Sequence, residues 1–202
     1  AWMYSFLASR THDGLFTLPD GGQVTVPMMN QTAELGYAEG SGVQAIELPY
    51  AGGELTMVIL LPELGTFDRF AQRLDTAELD SILSSMERVE MRLAMPKFRF
   101  DSVLEVKDGL MALGMVDAFG AADFSGMDGT RELYIDEVYH GALISVDEAG
   151  TEAAGSTAVA MRRKGGPAVE QEIAVDRPFL FLIRDLETGA ILFLGHLVNP
   201  AA

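Results

Sequence analysis

An α+β fold with mixed sheets and a few clustered helices is predicted by three features of the 202-residue chain. Alternating or continuous apolar runs bounded by glycine fill its first and last thirds. Helical spacing is confined to short stretches between them. Strands and helices do not alternate one by one, as a βαβ protein would require.

Gln23 to Met28 alternates, with Val24 and Val26 on one face. Val43 to Leu48 and Leu55 to Leu61 lie either side of Ala51-Gly52-Gly53, which predicts two strands around a glycine-rich turn. Thr66 is positioned to cap a helix containing Phe67, Phe70 and Leu74. Asp75 and Glu78 have capping-box spacing before Leu79, Ile82 and Leu83. Val89 to Met95 reads as a strand ending at Pro96. Asp101 or Ser102 is the expected opening of a further helix through Leu104, Leu110 and Leu113, stopped by Gly114. Leu133 to Val146 alternates most clearly, with Val138, His140, Ala142, Ile144 and Val146 on one face. Phe179 to Ile183 and Ile191 to Val198, joined through Thr188-Gly189, predict an antiparallel hairpin.

Composition narrows the function classes. A formal net charge of −16 argues against nucleic acid and against an anionic membrane surface, both of which need a basic face. The absence of cysteine removes disulfides and thiolate chemistry and leaves the redox compartment open. The longest apolar runs, such as Leu55 to Leu61, fall far short of a membrane span. The start at Ala1-Trp2-Met3 carries no signal-peptide pattern, and upstream residues are expected to be missing.

The informative segment runs from Glu148 to Val159 and is built almost wholly of small residues, followed by Met161-Arg162-Arg163-Lys164-Gly165-Gly166-Pro167. One reading is a flexible surface linker. Taken as a strand instead, Thr151, Ala153, Gly155, Thr157 and Val159 share a small, uncharged face, while the one charge, Glu152, lies on the other. No proline interrupts the run before Pro167, so every amide is free to join a ladder. The segment is therefore competent both as a solvated loop and as a buried strand, and a linker does not need the second option.

Here the chain resembles the serpins. Glu148, Gly150, Thr151 and Ala153-Ala154-Gly155-Ser156 match the family's hinge. Ile173 to Ile183, with Asp176-Arg177-Pro178-Phe179 at its centre, resembles the C-terminal signature, and Gly195-His196-Leu197-Val198-Asn199-Pro200 the final strand. Trp2 with Phe6, Val26-Pro27-Met28-Met29, Leu61-Pro62 and Met95-Pro96-Lys97-Phe98 also match, in family order. The resemblance covers essentially the whole chain and implies the C-terminal portion of one serpin domain over 1–202, with a reactive-centre loop at about 148–177. It implies that the N-terminal half of the fold is absent, and that this half is a required partner.

The resemblance further implies a suicide-substrate inhibitor of serine proteases. The loop is bait; the protease is acylated on cutting it; the hinge end then inserts as a new strand in the central sheet and distorts the enzyme. Glu148, Gly150, Thr151, Ala153, Ala154 and Gly155 form the implied hinge. Family spacing from Glu148 points to Lys164-Gly165 as the scissile bond, with Arg162 and Arg163 as alternatives, and counting back from Pro178 gives a later position. The basic run predicts a trypsin-like or dibasic-cutting target, or else is simply a solvated loop tip. His140 is expected on the inward face, either as a hydrogen-bonded core residue or, by resemblance, as a gate where the sheet opens. Trp2 either packs plainly or marks where the loop first inserts, and His196 has no evident role. The expected location is extracellular or in the cell envelope. No catalytic residue, cofactor or metal is implied: the histidines are His12, His140 and His196, with no Gly-x-Ser-x-Gly elbow and no paired-histidine spacing. The alternative is a non-inhibitory serpin-like carrier or chaperone, against which the small, proline-free hinge argues.

Overall fold

A computed structural model describes residues 1–151 and 171–201. By its contacts the chain divides into two compact units. One is Ala1–Arg99 with the described part of Ser145–Ala202, and the other is Phe100–Ile144.

The larger unit is organised by an eight-stranded sheet. Strand β1 (His12–Thr17) pairs with the first part of β2 (Gln23–Gly40), which continues into a hairpin with β3 (Val43–Pro49). β3 pairs antiparallel with β4 (Leu55–Pro62) around the predicted turn, where Gly52 and Gly53 take φ of 101° and 74°. Such positive φ values explain glycine at both places. Two helices follow, α1 (Phe67–Arg73) and α2 (Thr76–Ser84). Asp75 caps α2 as expected, its side chain accepting from the Glu78 N–H at 2.8 Å. Thr66 holds the predicted N-cap place of α1, but its hydroxyl donates to Glu63 O at 2.8 Å and caps nothing.

β5 (Glu87–Pro96) returns antiparallel to β2, from Met28↔Pro96 to Tyr37↔Glu87. Beyond it the smaller β8 (Gln171–Ala174) pairs parallel with β5. The C-terminal hairpin of β9 (Phe179–Asp185) and β10 (Ile191–Leu197) adds to β4, giving the order β10-β9-β4-β3-β2-β5-β8. Met57 to Leu61 on β4 are all fully buried. Val58 and Leu60 pack with Ala45, Leu182, Phe70 of α1 and Leu79 of α2. By alternation Met57, Ile59 and Leu61 point the other way, so this strand is covered on both faces and its apolar run is continuous. Phe98, Phe179 and Phe181 form an aromatic cluster with centroid separations of 6.0, 5.6 and 6.4 Å.

β6 (Phe98–Glu105) and β7 (Tyr139–Val146) form a separate two-stranded sheet. This corrects two expectations. Asp101 to Glu105 extends β6 instead of opening a helix, because exposure alternates from Phe98 to Ser102 and the backbone is used in the ladder. The helix α3 is shorter, Lys107–Ala112, and Leu113 after it is 87% exposed. The long strand starts at Tyr139, not Leu133. Before it, Ile135 N–H donates to Ala118 O and Asp136 O accepts from Lys107 Nζ, and the Val106 N–H to Val138 O bond at 3.0 Å links the residues that flank β6 and β7. The Ile135 N–H, given to Ala118, is not available to a ladder. A last short helix, α4 (Ser125–Asp128), ends at Gly129 with φ of 79°.

Candidate functional site

In the larger unit, residues 147–151 make a tight reversal. Asp147 N–H donates to Gly150 O at 3.0 Å, and Gly150 N–H donates back to Asp147 O at 3.3 Å, which leaves Glu148 and Ala149 at the tip. The Asp147 carboxylate accepts from the Ala149 and Gly150 N–H groups at 2.8 and 3.2 Å. An aspartate at the first turn position makes this local bond readily. Gly150 has φ of 152°, and a Cβ there would lie 2.7 Å from Ala1 Cα and 3.1 Å from Trp2 N. Only glycine fits this approach. Thr151 then stands opposite Val146 as an antiparallel bridge.

The reversal rests on residues 1–6. Trp2 N–H donates to Ala149 O at 2.9 Å and Phe6 N–H to Glu148 O at 3.0 Å. Trp2, only 3% exposed, donates from its ring Nε1 to Asp147 O at 2.9 Å. The ring stacks on Tyr50 with centroids 4.8 Å apart and 12° between the planes, and meets Phe6 edge-on at 6.4 Å. The Tyr50 and Thr151 hydroxyls are 2.7 Å apart. Burial pushes the Tyr50 pKa up to about 12, against a smaller lowering from Thr151, so the phenol stays protonated.

A charged contact completes the site. Glu148 lies 2.8 Å from Lys97 Nζ and accepts from Thr11 Oγ1 at 2.7 Å. Partial burial pushes its carboxyl pKa up, but the Lys97 and Thr11 bonds pull it down further, to below the ordinary 4.5. The glutamate is thus held ionised by groups on two other segments of the chain.

The downstream side of the segment is anchored differently. β8 lies along β5, and Val175 N–H continues the ladder to Ala94 O at 2.8 Å. Ile173, Val175 and Phe179 are buried. Arg177 donates from Nε to Pro62 O at 2.8 Å and from Nη2 to Gln44 Oε1 at 3.3 Å.

The structure therefore brings together Glu148, Gly150, Thr151 and Trp2 from the expected residues. Ala153, Ala154, Gly155, Arg162, Arg163, Lys164 and Gly165 lie outside the described residues. His140 sits on β7 in the smaller unit, and it is exposed. The expectation of a core histidine is corrected: β7 has only β6 as its ladder neighbour among the described residues, and full burial on that strand begins at Ile144. Four participants were missed from sequence. Asp147 was legible as the opening of an Asp-x-x-Gly turn. Lys97, a lone cation in the apolar run Met95-Pro96-Lys97-Phe98, was the natural counter-charge for Glu148. Thr11 and Tyr50 carried no local signal.

The family model for serpins (serine protease inhibitors) matches residues 1–200. An uncharacterised serpin-like protein of Thermococcus kodakarensis is 43% identical over 202 residues, covering 98% of this chain and 47% of that protein. Plasminogen activator inhibitor 1 of Bos taurus is 35% identical over 208 residues, covering 98% of this chain and 51% of that protein. The native state of tengpin, a thermophilic serpin, superposes with a TM-score of 0.83 at 30% identity over 98% of this chain and 52% of its own. The chain thus spans about half the length of the relatives it matches. By sequence over nearly its whole length, and by fold, the chain belongs to the serpin family.

Proposed function

We propose that this chain supplies the bait loop and hinge of an inhibitor that traps serine proteases by loop insertion. The observation that carries the reading is the reversal at 147–151. Thr151 already faces Val146 across an antiparallel bridge, the pairing from which a new strand would start. Each backbone hydrogen bond gained on further insertion contributes about 1 kcal/mol net, and the small residues after Thr151 carry little to desolvate. Trapping is a race between insertion and hydrolysis of the acyl-enzyme, so an entering face without bulk or charge is a kinetic asset. The bait is the basic run Arg162-Arg163-Lys164-Gly165, cut after Lys164, and the target is a protease with an acidic specificity pocket.

The test uses trypsin and the protein at its full length. The parent is expected to give a covalent complex stable on a denaturing gel, with mass spectrometry placing the cut between residues 161 and 165. Thr151→Arg puts a charge where Thr151 is half-buried against Tyr50, and it is expected to yield cleaved protein and free, active trypsin. Equal trapping by both proteins rejects the insertion reading.

One observation favours a second reading. Thyroxine-binding globulin, solved in complex with thyroxine, superposes with a TM-score of 0.84 at 25% identity over all of this chain. A carrier of that kind needs no insertion. A large rise in melting temperature after loop cleavage supports the inhibitor, and an unchanged melt supports the carrier.

A further inference from the structure

We infer that Tyr50 is a positioning residue for loop insertion: its hydroxyl seats Thr151 in the first inward place of the new strand, opposite Val146, before the loop is cut. The inference rests on the inhibitory reading of the hinge. Tyr50 follows β3 directly and is fixed on every side. Its N–H donates to Leu55 O at 3.0 Å, its backbone bridges Trp2, the residue is 8% exposed and its ring is stacked on the indole. The phenol is therefore the stationary partner, and Thr151, at the end of a two-residue reversal, is the movable one.

Their 2.7 Å contact joins positions 101 residues apart. If Thr151 leaves, the Tyr50 hydroxyl is left buried without this partner, and a buried hydroxyl deprived of its hydrogen bond is destabilising. The contact thus favours the seated hinge. It also fixes a face. Threonine is β-branched and stiff about χ1, so holding Oγ1 fixes which way the side chain points. In a strand a slip of one residue sends every side chain to the opposite face. Pinning the first residue therefore sets the register in which the remainder zips, without holding any later residue. No charge is involved, so the device does not depend on pH over the range in which the phenol is protonated.

Hydrogen exchange of residues 145–151 tests the inference, with the full-length uncut protein. Tyr50→Phe keeps the stacked ring and removes the hydroxyl, Thr151→Val keeps the branched shape, and Thr151→Ser restores a hydroxyl. Exchange in this segment is expected to rise about fivefold in either of the first two variants, the factor equivalent to one net hydrogen bond. The double variant is expected to exchange no faster than the singles, Thr151→Ser to behave like the parent, and β3 and β4 to be unaffected. With trypsin, Tyr50→Phe is expected to raise the number of inhibitor molecules consumed per enzyme trapped while leaving the association rate unchanged. Parent-like exchange in Tyr50→Phe, or additive effects in the double variant, overturns the inference. The exchange measurement needs no protease, so it fails independently of the inhibitory reading.

Discussion

At its downstream end the loop is tied to the body by a parallel ladder and by the buried side chains of Ile173, Val175 and Phe179. At its upstream end the ties are polar: Glu148 to Lys97 and Thr11, Thr151 to Tyr50, and Asp147 O to the Trp2 indole. These two kinds of anchor open differently. A buried large apolar side chain contributes about 1.5–3 kcal/mol that is lost only when the core itself opens. A polar contact contributes about 1 kcal/mol net and can be exchanged for water one bond at a time. Under the proposed insertion, the chain beyond Thr151 would have to enter a sheet while residues 171–179 stay in place, and this asymmetry suits that demand: the upstream end is held by side-chain hydrogen bonds that water can replace one at a time.

The strongest way to break the comparison is at the fixed end. Phe179 is fully buried, with its ring 6.0 Å from Phe98 and 6.4 Å from Phe181. Phe179→Ala is expected to cost about 3–5 kcal/mol in urea unfolding through lost burial and a cavity. A loss below about 1 kcal/mol would mean the aromatic cluster does not anchor the loop. A smaller effect is expected at the upstream end. Gly150→Ala forces a Cβ against Ala1 and Trp2 in a backbone conformation that alanine resists. The cost is about 1–3 kcal/mol, and the reversal is expected to shift away from residues 1–6. Trp2 is the only tryptophan, so its emission reports this directly: it should move to the red as the indole loses cover. Unchanged emission in a folded Gly150→Ala protein would show that the turn tolerates the methyl and that its ties are looser than the geometry implies.

Sequence made the apolar scaffold legible because period and punctuation are local. The β3–β4 turn announced itself through Gly52-Gly53, and α2 through Asp75 and Glu78. β8 was not read as a strand, since Gln171 and Glu172 mask the pattern and its partner, β5, is distant in sequence and parallel. Asp101 to Glu105 was read as helix because Leu104, Leu110 and Leu113 mimic helical spacing, whereas ladder pairing decided the outcome. In the site, Glu148, Gly150 and Thr151 were legible as part of a hinge-like pattern, but the groups that hold Glu148 and Thr151 were not. Tyr50 meets Thr151, and Lys97 meets Glu148, only because β3 and the end of β5 are brought beside residues 1–6, and no local spacing encodes that. His140 shows the converse: its place on an alternating strand was legible, while its exposure depended on what covers the strand.

The mildest test separates the charged tie from the neutral ones by pH. Glu148 has a carboxyl pKa below its ordinary 4.5 in the folded chain. A group with a depressed folded pKa stabilises fully above its unfolded pKa, and that contribution disappears as pH falls through the folded value. The hinge should therefore be unaffected from neutral pH down to about 4.5 and loosen below it, as Glu148 takes up a proton and its pairing with Lys97 ends. Both partners are partly solvated, so the loss is expected at about 1 kcal/mol or less. Titrating Trp2 emission in the parent and in Glu148→Gln measures it. The parent should show a step below 4.5 that the variant lacks, because glutamine is already uncharged and can still accept from Thr11. A step of equal size in Glu148→Gln would assign the proton to a different carboxylate and would show that the tie between Glu148 and Lys97 is not what holds this segment.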